Sequence, residues 1–244
     1  MKVRYLWFVL LGGLTIPLLA ADSLPVHPFR ALYNGTALVK LSPTTIELSL
    51  KGNMEMSLTD AGNGRYQMST TITSLVGTVD SQASGEFQGN MIHPLHYQQQ
   101  VSSIKQSMSQ LIFNWQTKTL DVLENEKQKT LTLTEGVVDP LSLYLLVMRD
   151  LQEGRTPGRY TLVNHFQLRT YQAMVEGEEI LDTPLGKLHT LRISSKRDTP
   201  DSERDTIFWF APELSYLPVQ VIRQDEGKET LRMSIAEVKS NIAK

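Results

Sequence analysis

The longest regular pattern in the chain runs along Ile46, Leu48, Leu50, Met54, Met56 and Leu58, apolar residues of even parity separated by Glu47, Ser49, Lys51, Glu55 and Ser57. Period two predicts a strand with one wet and one buried face, because successive side chains of an extended backbone point to opposite sides. At ~3.3 Å per residue such a strand is on the order of 40 Å long, too long to stay flat under the usual strand twist. Gly52 is the expected bend point. Long twisted strands favour a barrel or half-barrel over a compact sandwich.

Further strands follow the same logic. Phe29–Leu41 is one, interrupted at Asn34-Gly35; the turn from Asp60 to Gly64 leads into Tyr66, Met68, Thr70 and Ile72, and Gly77 separates these from Thr78–Phe87. Gly89-Asn90 turns the chain into His93–Tyr97, where Pro94 belongs at a strand start because it cannot donate to a ladder. Ser107–Trp115, Leu120–Glu124 and Lys129–Leu133 come next. After Gly158 the strands are Tyr160–His165, Leu168–Glu176, Leu188–Ser194, Thr206–Phe210, Leu217–Arg223 and Thr230–Val238, with the polar Ser195–Arg204 as a projecting loop. Phe87–Pro94 and Phe210–Pro218 share an order of aromatic strand, polar turn and proline, the trace of a weak internal repeat.

One segment reads as a helix. In Asp139–Gly154 the Asp139 carboxylate suits the N-cap, Pro140 the first helical position and Gly154 the left-handed cap. Leu141, Tyr144, Leu145, Met148 and Leu151 share one face, while Leu143, Leu146 and Val147 cover much of the other, so the helix is enclosed rather than laid on a surface. The expected fold is therefore mainly β: an antiparallel open barrel or strongly curved sheet with this one helix packed in its concave side.

The N-terminus adds an address. Lys2 and Arg4 precede an apolar run that ends at Ala20-Ala21, the order of a secretory signal peptide, and the run is shorter than the roughly 20 residues a bilayer span needs. Residues 1–21 are read as the signal peptide and 22–244 as a single β-rich domain, periplasmic in a Gram-negative bacterium. Leu18 and Leu19 are poor residues for the cleavage site, and a leader left uncleaved would be an N-terminal membrane anchor. Cysteine is absent, which removes disulfides, thiol catalysis, thiolate metal sites and lipoprotein processing together. The formal net charge is −2, and no basic cluster is longer than Lys196-Arg197, so nothing marks a nucleic-acid binder.

No enzyme signature emerges. No serine lies in a G-x-S-x-G elbow, and His27, His93, His96, His165 and His189 lack a motif that gives them a role. His93 and His96, three apart on a strand, face opposite sides and make a poor metal pair. No cofactor and no metal are expected. The remaining candidates are apolar: Tyr97, Phe113, Trp115 and Trp209 on strands, with Tyr144, Leu145 and Met148 on the helix. They are either ordinary core or the lining of a pocket between sheet and helix, and the thioethers of Met54, Met56, Met68 and Met148 suit an irregular ligand.

Several segments together resemble an exported bacterial family designated domain of unknown function 3108: F-R-A-L-Y-N-G, S-G-E-F-x-G-x-x-x-x-P-L-x-Y, D-P-L-S-L-Y, E-x-I-L-D-T-P-L-G-K-L-H-T-L-R-I and F-W-F-A-P-E-L-S-Y-L-P-V-Q-V. The last also resembles a hairpin of the lipoprotein-carrier and envelope-sensor domains of the LolA and RseB type. That more distant resemblance implies an open barrel with a helix inside, binding acyl chains or lipoproteins; the family itself supplies no catalytic residues. The functional expectation is a noncatalytic carrier or binding module for a lipophilic or lipoprotein-like envelope ligand. Its rival is an assembly factor that takes an envelope protein partner at a sheet edge.

Overall fold

The computed structural model describes residues 23–40, 47–89, 91–103, 106–199 and 204–239; the N-terminal segment expected to be a signal peptide, Ile46 and part of the Ser195–Arg204 segment lie outside the described residues. The chain first meanders through β1 (Phe29–Lys40), β2 (Glu47–Gly62), β3 (Arg65–Ser74), β4 (Gly77–Gln88), β5 (Met91–Ser103), β6 (Ser107–Asn114), β7 (Thr119–Glu124) and β8 (Lys127–Thr132). It then crosses through β9 (Val137–Val138) and α1 (Ser142–Gln152). From there it meanders back through β10 (Arg159–Asn164), β11 (Gln167–Thr183), β12 (Gly186–Arg197), β13 (Arg204–Ala211), β14 (Leu217–Asp225) and β15 (Lys228–Lys239). β15 pairs with β1, so both halves join in one 15-stranded sheet that runs from β8 at one end to β9 at the other.

The sheet curls until its ends approach. His165, in the β10–β11 turn, lies 3.0 Å from Glu124 at the end of β7, and the Lys129 amine of β8 donates to the Phe166 carbonyl at 3.3 Å. No ladder joins the two ends among the described residues, so the barrel stays open along this seam. The antiparallel expectation holds with one exception: β9 and β10 are parallel. A parallel pair needs a crossover, and α1 is that crossover.

α1 sits where its sequence places it. Leu145 and Met148 are buried to 0% and 1% exposure, and none of residues 141–152 is exposed. Regular helix begins at Ser142, but Asp139 does the capping: its carboxylate accepts the backbone N–H groups of Leu141 and Ser142 at 2.9 Å each. At the other end Gly154 is left-handed and the Arg155 amide returns to the Asp150 carbonyl at 2.7 Å. This six-residue loop of the chain satisfies carbonyls that the helix leaves free.

Two strand expectations change. Asn34-Gly35 does not interrupt β1; Gly35 pairs with Gly52 inside a continuous ladder, and Met233 of β15 occupies the space that a Gly35 side chain would need. Pro94 lies inside β5 instead of opening it. It sits at a bulge against Gly85 and ahead of His96, where β6 begins to pair, so its missing N–H breaks no ladder bond with β6. Pro218 sits at the matching bulge of β13 and β14. Each proline carbonyl accepts from an aromatic side chain, Pro94 from the Trp115 indole and Pro218 from the Tyr33 hydroxyl, both at 2.8 Å. The weak repeat in the sequence thus coincides with equivalent devices in the two halves.

Candidate functional site

Burial along each inward-facing row defines the site. On β2, Met54, Met56 and Leu58 are buried, but Leu50 on the same face is only half-buried. On β3 the row passes from Tyr66, Met68 and Thr70, all buried, to half-buried Ile72 and Ser74; on β4 it passes from buried Ala83 and Ser81 to half-buried Val79. Residues of one parity that lose burial at the same end of neighbouring strands mark an interior that is dry around α1 and open beyond it. The space is a cavity of about 350 Å³, walled by β1–β5, β14 and β15. Met54, Met56, Ile72, Val79, Leu231 and Met233 give it an apolar wall, and its floor is Pro140, Leu141, Tyr144 and Tyr97.

The floor is fixed by a buried polar cluster at the head of α1. Asp139 and Ser142 both have 0% exposure. The Ser142 hydroxyl is bonded to the second Asp139 carboxylate oxygen and lies 2.6 Å from the Tyr66 hydroxyl of β3. Burial pushes the Asp139 carboxyl above its ordinary range, and the hydrogen bonds from Ser142 and Leu141 pull against that. Burial likewise raises the Tyr66 phenol well above its usual value, and takes that of Tyr97 up to about 12. Gly85 makes room for this cluster: a side chain there would meet the Tyr66 hydroxyl and stand 2.6 Å from the His93 carbonyl. These groups are sealed from solvent and bonded to one another, and they anchor the head of the helix.

A second recess of about 450 Å³ follows the seam, between β5, β6 and the β7–β8 turn on one side and β10 and β11 on the other. Gln99, Ser109, Asn125, Tyr171, Glu124 and His165 make its lining more polar. Tyr97, Gln99 and Pro140 belong to both cavities and form their common wall.

Of the seven side chains singled out in the sequence, Tyr97 and Tyr144 border the 350 Å³ cavity. Leu145, Met148 and Phe113 are core and border neither cavity; Trp115 is half-buried, stacked on His93 with ring centroids 4.3 Å apart. Trp209 is corrected outright. Its neighbours Phe208 and Phe210 face Tyr144 in a small gap of about 30 Å³, which puts the Trp209 ring on the convex side of the sheet. There it lies under the Arg192 guanidinium, 5.6 Å from the ring centroid, and its indole N–H donates to Glu179. Leu50, Ile72, Val79 and Leu231 were missed, although the even parity of Leu50, Met54 and Met56 already put Leu50 on the face of the two methionines. Among the described residues no group of three or more His, Asp or Glu side chains is placed to hold a metal ion, and no helix is long and apolar enough to cross a membrane.

Among solved structures, the chain is similar to the crystal structure of a beta-barrel-like protein of domain of unknown function DUF1849 from Brucella abortus. The TM-score is 0.61 at 13% identity, over 88% of this chain and 98% of that one, a likeness of fold alone. A DUF1329 family protein from Desulfovibrio piger also matches, at 7% identity over 90% of this chain and 88% of that one, with a TM-score of 0.25. No curated protein matches the chain. The family model described as "Protein of unknown function (DUF3108)" matches residues 32–235, nearly the whole span of the sheet, and the chain belongs to that family.

Proposed function

We propose that this protein is a noncatalytic binding or carrier module for a lipophilic or lipoprotein-like ligand of the cell envelope, working in the periplasm once its leader is removed. The observation that carries the reading is the 350 Å³ cavity: it lies on the concave side, its wall is apolar, and its open end is half-solvated. Ligand pockets of this kind are usually preformed, apolar and larger than roughly 300 Å³. The buried polar groups nearest to it, Asp139, Ser142 and Tyr66, are engaged with one another in holding α1.

Native mass spectrometry of protein purified from its own periplasm is the test, together with displacement of the neutral probe N-phenyl-1-naphthylamine. The native protein should carry a lipophilic mass, and Leu50→Trp should remove it with little change in melting temperature, because the added ring enters open space. A ligand-free spectrum together with no probe binding would overturn the reading. The intact mass of the same sample decides whether residues 1–21 have been cut away.

One observation favours the rival reading, a partner docked at a sheet edge. Beyond Ala173, β11 is bonded only to β12, and Met174, Val175 and Ile180 are exposed along it. The same strand carries the devices that discourage pairing, a bulge at Gly177 and the charges Glu176, Glu178 and Glu179. The opposite edge, β8, is blunted by exposed Lys127 and Lys129. Val175→Pro would abolish a partner captured through this edge and leave probe binding in the cavity intact.

A further inference from the structure

Apolar walls say that a ligand has a hydrocarbon part; the charge on the rim says what ends it. Among the described residues that line the 350 Å³ cavity, Arg223 is the one with a formal charge, and no aspartate or glutamate is among them. It lies on β14 two residues past Val221, opposite Leu231 of β15, at the height where the inward rows become half-solvated. Thr36 and Ser74 bring hydroxyls to the same cavity.

Arg223 is also available. Asp225, the acid two residues along its strand, is taken by Arg204 and Thr230, and Arg223 has no ion pair among the described residues. Its charge reaches the floor: it pulls the Tyr144 phenol down while burial pushes it up. A cation at the rim of an apolar cavity with no acid among its described lining attracts one kind of amphiphile and repels its opposite. The guanidinium fork matches carboxylate and phosphate oxygens alike.

We propose that the cavity takes an acyl chain ending in an anionic oxyacid, a carboxylate or a phosphate, with the chain between β1–β5 and β14–β15 and the head on Arg223. This rests on the carrier reading and names its ligand class. A phosphate head corresponds to a phospholipid-derived ligand and a carboxylate to a free fatty acid. Because Arg223 is exposed, water and salt screen the contact, and the preference it confers is modest.

Dodecanoate, dodecyl phosphate, dodecanol and dodecyltrimethylammonium, each below its micelle-forming concentration, would be titrated against protein loaded with N-phenyl-1-naphthylamine. At low salt the two acids should bind about tenfold tighter than dodecanol, the size of a charge-assisted hydrogen bond discounted for exposure, and the ammonium should bind more weakly than dodecanol. Arg223→Gln should bring the acids to the level of dodecanol and leave dodecanol itself unchanged; Arg223→Lys should keep part of the preference; high salt should erase it. Whichever acid binds tighter names the source of the ligand. Equal binding of acid and alcohol by the native protein, or a preference that survives Arg223→Gln, overturns the inference and leaves the carrier reading standing. Failure of all four to displace the probe overturns both.

Discussion

Ser142→Ala tests whether the helix is held by its buried polar head. The Ser142 hydroxyl serves two partners, the Asp139 carboxylate and the Tyr66 hydroxyl at 2.6 Å, and all three residues are at most 1% exposed. Removing it leaves both partners without that bond and without water. An orphaned buried polar group costs about 1–3 kcal/mol, so the single variant, with two, should lose about 2–6 kcal/mol. Tyr66→Phe removes one of the two orphans. The double variant should therefore be less destabilised than the sum of the single ones, with a coupling of about 1–2 kcal/mol in urea unfolding. Additivity within ~0.5 kcal/mol would refute the network, since independent sites add to that precision.

The same variant has a pH signature. Burial holds the folded pKa of Asp139 above its unfolded value of about 4, so between those two values the folded state keeps a proton that the unfolded chain has lost. Stability from this group is then greatest at low pH and falls as pH rises through the window. The Ser142 hydroxyl bond lowers that pKa, so its loss raises it further, while the Ser142 backbone N–H stays in place. The cost of Ser142→Ala should be smaller near pH 4 than near pH 8, and Asp139→Asn should flatten the dependence. A cost that is the same at both pH values would show that Asp139 is not charged in the native protein at neutral pH.

Two further outcomes follow from the packing. Gly85→Ala should cost about 1–3 kcal/mol in the same unfolding assay, since its methyl group would meet both the Tyr66 hydroxyl and the His93 carbonyl backbone. Met148→Trp should cost about 1–3 kcal/mol by overpacking, in contrast to Leu50→Trp, because Met148 is 1% exposed and borders neither the lumen nor the seam.

What was legible in the sequence was local. The caps of α1 and the parity of Met54, Met56 and Leu58 are settled by neighbours a few residues away, and both stand in the structure. What was not legible depends on pairing. The face that Trp209 takes is set by the ladder it joins, and a bulge between Trp209 and Phe210 shifts the register there; nothing in F-W-F-A marks it. β11 is longer than Leu168–Glu176, reaching Thr183, because its polar run through Gly177 and Glu179 imitates a turn while β12 holds it extended. Arg223 looked like an ordinary end to a strand. Only its place on the rim shows that the side chain closes an apolar row.

The cavity itself follows from a mismatch of lengths. α1 has 11 residues and, at ~1.5 Å per residue, is roughly 16 Å long; among the strands that wall the cavity β2 has 16 and β5 has 13, which at ~3.3 Å per residue reach roughly 40–50 Å before twist shortens them. One short helix cannot fill the inside of a sheet built from such strands. Where it stops, the inward rows change character, from Met54 to Gly52 and Leu50 on β2, from Thr70 to Ile72 and Ser74 on β3, and from Tyr97 to Gln99 and Val101 on β5. Small, polar and aliphatic residues alternate there in place of the large buried ones. An interior meant to close would continue the large residues to the strand ends and leave the core dry. Here the overhang keeps an apolar wall, loses its plug and ends, among the described residues, at a single cation, so a ligand of the proposed class would sit where the strands exceed the helix.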